Sequence, residues 1–328
     1  MNSWYKLHHP EIFQGTLTEK NYFEGWYFKI VDNESENVLA FIPTIAINKN
    51  SNIYMSFIQI FDGINLDVFI VEYPIETFKS SRSKFEIKIG PNYFSTNRIK
   101  LNIEREDIKI FGTLNFKNLT PLPKSFLFPG AMGIFTYLPF METYHGIISM
   151  NHKINGKLIY QDTELNFKES SKGYIEKDWG KGFPKAWIWM QSNHFFENQR
   201  SFMLSIAKIP YLGINFIGFL CFVWDREKFY KFTTYSRANL KSLRATKKRV
   251  GIIIENSKNI LIINAHAGDA AILKAPTLGL MTSRDEESMS AIIKLRLYRK
   301  TQDQALKLIF DDTGFNSGLE VMNPQDLK

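Results

Sequence analysis

Residues 22–32 read YFEGWYFKIVD, and the fold follows from which side of the backbone each of those side chains takes. In an extended chain alternate residues share a face, so Glu24, Trp26, Phe28 and Ile30 point one way. An aromatic and β-branched face of that width belongs to a strand rather than a helix. The same period of two recurs in NVLAFIPTIAI (37–47), NIYMSFIQIF (52–61), NLDVFIVEYP (65–74), KFEIKIG (84–90), RIKLNIERED (98–107) and IKIFGTLNF (108–116). Asp, Asn, Gly or Pro stands at most of the breaks. No helical periodicity intervenes, and the short connections predict an antiparallel meander whose closure into a barrel would remove its exposed edges.

Composition agrees with this reading. Of 328 residues 15% are aromatic and 44% hydrophobic, a balance suited to pleated sheets around an apolar interior. A single cysteine, Cys221, excludes an intrachain disulfide framework, and MNSWYKLHHP at the start has no secretory pattern; both predict a cytoplasmic protein. The uncharged run Ile209 to Trp224 has 16 residues, short of the ~20 that a spanning helix needs. The net charge of +8 lies wholly after residue 140, most densely in SRANLKSLRATKKRV (236–250), which has six basic residues and no acid. That run reads as a solvated basic strand and turn, or as a peripheral contact with an anionic membrane through Arg237–Arg249. No nucleic-acid module accompanies it, so nucleic acid is not the expected partner.

Alternation fails between Asn118 and Phe140, where NLTPLPKSFLFPGAMGIFTYLPF holds four prolines. This predicts a β domain over 1–117, an apolar linker or lid over 118–140, and a second β domain over 141–328. Strand patterns resume with GIISMNHKI and KLIYQDTELNF, between which Asn155-Gly156 predicts a two-residue hairpin turn.

Familiar catalytic signatures are absent. There is no P-loop, no dinucleotide fingerprint and no nucleophile elbow. The six histidines lack metal-ligand spacing, so neither metal nor cofactor is expected. What remains is GYIEKDWGKGFPKAWIWMQSNHF (173–195). Its extended part puts Trp187, Trp189, Gln191 and Asn193 on one face, an apolar wall with a few polar groups, as in a small-molecule pocket. Glu176 and Asp178 also share a face, just before Trp179 and the tight GKGFP turn. Glu24, on its apolar strand face, either holds a proton through a raised pKa or pairs with a structural Arg or Lys.

The stretches HPEIFQG, YFEGWYFKI, EKDWGKGFPKAWIWMQSNHF, ILKAPT and IIKLRLYRK together resemble the tocopherol cyclase family over most of the chain. The resemblance implies an all-β fold of two lipocalin-like antiparallel barrels or curved sheets in tandem, distantly like carotenoid hydratases. It also implies a redox-neutral reaction, in which an acid protonates a prenyl alkene of a quinol and the phenol oxygen closes onto the tertiary cation. The candidate acids are Asp178, Glu176 and Glu24, with Asp178 favoured because the Trp-Gly turn after it holds it in one orientation. Trp26, Trp179, Trp187 and Trp189 would tolerate the cation, and Gln191, Asn193 and His145 would contact the ligand, a lipophilic prenylated aromatic. The alternative is a lipid carrier that binds and returns its ligand unchanged.

Overall fold

The computed structural model describes residues 3–303 and 305–327. After a short helix, Ser3–His8, nearly every element is a strand. The chain divides into two compact units, the first of residues 1–183 with 273–284, the second of 184–272 with 285–328.

The first unit is built on β1 (Asn21–Val31), β2 (Val38–Asn48), β3 (Ile53–Asp62), β4 (Val68–Tyr73), β5 (Lys79–Ser80), β6 (Glu86–Ile89), β7 (Asn92–Ser95), β8 (Arg98–Glu104), β9 (Lys109–Lys117), β10 (Thr143–Tyr160) and β11 (Thr163–Gly180). These form one sheet in the order β4-β3-β2-β1-β11-β10-β9-β8-β7-β6-β5. Its ladders are antiparallel, and the order does not close into a barrel. One face of the sheet carries the core, which includes Trp26, Phe28 and Ile30 of β1, Phe41 of β2, Ile58 of β3, Leu101 and Ile103 of β8, and Ile175 of β11.

The second unit comprises β12 (Trp187–Ser192), β13 (His194–Phe195), β14 (Arg200–Tyr211), β15 (Ile214–Asp225), β16 (Lys228–Thr233), β17 (Asn239–Ala245), β18 (Arg249–Glu255), β19 (Asn259–His266), most of β21 (Leu280–Lys300) and β22 (Leu306–Met322). Their order is β16-β15-β14-β12-β22-β21-β19-β18-β17, again open at both ends. Ile188, Met190, Phe202, Ile252, Ile263, Leu295 and Leu319 face its core. The tip of the hairpin between β20 (Ala271–Thr277) and β21 belongs to the first unit. There Asn48 Nδ2 donates to Leu278 O (2.9 Å) and Lys274 N to Gln59 Oε1 (3.0 Å).

Two expectations need correction. β10 and β11 follow residues 118–140 yet pair with β9 and β1, so strands on both sides of that segment share one sheet. The division therefore falls at Phe183/Pro184, not within 118–140. Asn155-Gly156 is no turn either, for Asn155 pairs with Asn115 inside β10. Gly156 has φ 144°, and a Cβ there would collide with Thr113 O. The glycine serves a bulge and a close strand approach, which resembles a turn signal locally.

Candidate active site

The register of β1, β11 and β10 separates two polar clusters onto opposite faces of the sheet. β1 sets Glu24 opposite Trp179 and Trp26 opposite Lys177; β10 sets His145 opposite Asp178 and Tyr144 opposite Trp179. By alternation Glu24, Trp26, Lys177 and Trp179 look toward the core, whereas Tyr174, Glu176, Asp178 and His145 look away from it.

On the core side Glu24 is fully buried. It accepts from Gln14 N (2.9 and 3.0 Å to its two oxygens), Gly15 N (3.1 Å), Tyr22 Oη and Lys177 Nζ. Lys177 also donates to Pro10 O (2.8 Å) and Ile12 O, and its ammonium stands 4.8 Å from the ring centroids of both Trp26 and Trp179. Burial lowers its pKa to about 8, with Glu24 opposing the fall. Of the two readings of Glu24, pairing with a structural lysine is the one found. The cation facing Trp26 and Trp179 is that lysine.

On the other side His145 Nδ1 lies 2.8 Å from Asp178 Oδ1 and Nε2 lies 3.5 Å from Glu176 Oε2. Tyr174 Oη donates to Glu176, and the backbone N–H of His145 donates to Met132 Sδ at 3.1 Å. Burial by itself would depress the imidazole, but Asp178 and then Glu176 outweigh it and raise its pKa to about 9. The ring is a cation at neutral pH. Asp178 is the open member, with a side chain 23% exposed against 6% for Glu176, and its neighbour on β1 is Gly25, which has no side chain. The ligand atoms of the three residues lie within 4.8 Å of one another, so a divalent ion could bind there only by displacing the imidazolium proton.

Because the folded pKa of His145 exceeds the unfolded value near 6.5, its stabilising contribution is complete below that value and is lost as pH rises through about 9. The expected contribution is at most about 3 kcal/mol. Thermal melts from pH 6 to 10 should show a fall that His145→Gln removes.

The remaining candidates lie in the second unit. Trp187 and Trp189 are buried, Trp187 Nε1 donates to Glu320 Oε2 (2.8 Å), and Gly318 leaves space for the Trp189 ring. Gln191 and Asn193 are also buried. The motif of residues 173–195 is thus shared between the units. Lys177, Tyr174 and Glu320 do not stand out from sequence. Lys177 is within the quoted motif, but its pairing depends on strand register, and Glu320 lies 133 residues from Trp187.

A tocopherol cyclase-like family model matches residues 127–322. The chain belongs to the tocopherol cyclase-like family. Among curated relatives, a probable chloroplastic tocopherol cyclase of Oryza sativa subsp. japonica is 26% identical over 195 residues, 56% of this chain and 40% of that protein. The chloroplastic tocopherol cyclase of Zea mays is 26% identical over 197 residues, with the same coverage. The chain thus spans about two-fifths of the length of these relatives. Of solved structures, CghA with Sch210972 superposes with a TM-score of 0.55 at 7% identity, covering 93% of this chain and 89% of that one. Kievitone hydratase from Nectria haematococca gives 0.50 at 10% identity, covering 96% and 94%. These likenesses establish the shared fold. No described helix is long and apolar enough to cross a membrane.

Proposed function

We propose that this family member catalyses a redox-neutral, acid-initiated cyclisation or hydration of an alkene in a prenylated quinol or similar isoprenoid lipid. The observation that carries the reading is the placement of the His145 imidazole between Asp178 and Glu176, with Asp178 as the accessible partner; the two carboxyls raise its pKa to about 9, which favours a proton there near neutrality. In the proposed step the Asp178–His145 pair gives its proton to an alkene carbon, the π pair forming the new C–H bond. The phenol oxygen, or water, then forms a C–O bond to the tertiary cation, and its proton returns to the pair. No electrons are lost or gained. Family membership supports this class of chemistry, and a hydratase shares the fold.

Incubation with a panel of prenyl quinols, followed by chromatography and mass spectrometry, tests it. A product of unchanged mass and altered retention is expected for cyclisation, and a gain of one water for hydration. Recovery of every compound unchanged, with binding, would favour the carrier.

The basic run covers β17, the turn after it and the first two residues of β18 at the sheet edge, where Lys247 pairs with Glu286 (3.0 Å) and Lys241 with Glu255 (2.8 Å). We infer a weak attraction to anionic membrane, worth about 1 kcal/mol per basic residue that reaches the surface. Replacing Lys247, Lys248 and Arg249 by Ala should reduce co-sedimentation with phosphatidylserine vesicles; equal binding would retire the idea.

A further inference from the structure

The second unit carries a carboxyl that none of this chemistry uses. On β21, Asp285 and Glu287 alternate onto one face. Glu287 stands opposite Glu320 of β22, and Glu320 opposite Trp189 of β12. Trp187, bonded to Glu320, lies on the same face. The core of this unit takes the intervening residues Ile188, Met190, Leu319 and Val321, so this row of acids and tryptophans looks away from it.

Asp285 is only 4% exposed, and its Oδ1 has no hydrogen-bond partner among the described residues. Other buried carboxylates have partners: Glu24 has Lys177, Glu176 has Tyr174, Asp312 has Arg200 and Asp62 has Asn65. Burial raises the Asp285 pKa to about 7, so near neutrality much of it is a neutral acid with a proton to donate. Leaving such a group unpaired costs stability, and groups of this kind concentrate where ligands bind.

We propose that the second unit holds a ligand site of its own, in which Asp285 hydrogen-bonds an oxygen of an uncharged, flat, lipophilic molecule such as a quinone or phenol, set against Trp187 and Trp189. Glu287 and Glu320 on the same face disfavour an anionic ligand. The proposal rests on the ligand class of the preceding reading, but not on turnover.

The test is titration of the full chain with duroquinone, read by tryptophan fluorescence quenching. Asp285→Leu should raise Kd about tenfold, whereas Asp285→Asn, which keeps a donor, should stay within about threefold. Both variants remove an unpaired buried acid. Their melting temperatures should therefore exceed the parent's, more at pH 8 than at pH 5, since the unfolded carboxyl ionises above its ordinary value near 3.8 while the folded one keeps its proton up to about 7, so the parent's penalty accumulates across that window and levels off above it. Unchanged quenching in Asp285→Leu, or a lower melting temperature in both variants, overturns the proposal. If duroquinone binding depends on Asp285 but no prenyl quinol is converted, the site stands and the cyclase reading falls. If conversion occurs while Asp285→Leu binds normally, the site alone falls.

Discussion

Asp178→Asn is expected to lower turnover of a converted prenyl quinol by about 10²–10⁴, a loss of the size seen when a general acid is disabled, because it removes the carboxylate that holds and orients the protonated His145. Asp178 is part-exposed and its neighbour on β1 is a glycine, so the isosteric amide should fold. The substitution also takes from His145 the larger of its two charge supports. Activity that needs protonated His145 is present below about pH 9 and lost above it; in Asp178→Asn that limb should move to lower pH. His145→Gln should cost a similar factor, and the double variant little more, because residues acting as one unit are not additive. Full activity in both single variants would exclude the pair as proton donor.

The second large effect is on stability. Glu24→Gln leaves the Lys177 ammonium buried without its countercharge, and breaking a buried pair from one side typically costs about 3–5 kcal/mol. Lys177→Met strands Glu24 in the same way. The double variant should recover much of the loss, since neither charge then remains unpaired. Chemical denaturation of the four proteins gives the cycle. Loss of turnover in Glu24→Gln with undiminished stability would instead return Glu24 to the role of acid.

Much of the architecture was legible because period-two alternation reports which residues share a face. That logic placed Glu24 with Trp26 and Phe28, and Trp187 with Trp189. Register was not legible, since no local signal says that Trp26 meets Lys177 or that His145 meets Asp178. Proline density at 118–140 marked an irregular segment, but the sheet continues across it through β10 and β11, so composition did not mark the domain division. Gly156 illustrates the same limit: a glycine needed for strand approach and one needed for a turn look alike in sequence.

The most direct test of acid-initiated chemistry is turnover in deuterium oxide with product mass measured after back-exchange in ordinary water. Protonation of the alkene predicts one deuterium retained on carbon, and its formation should fall with Asp178→Asn. A product formed at full rate with no carbon-bound deuterium would contradict the account.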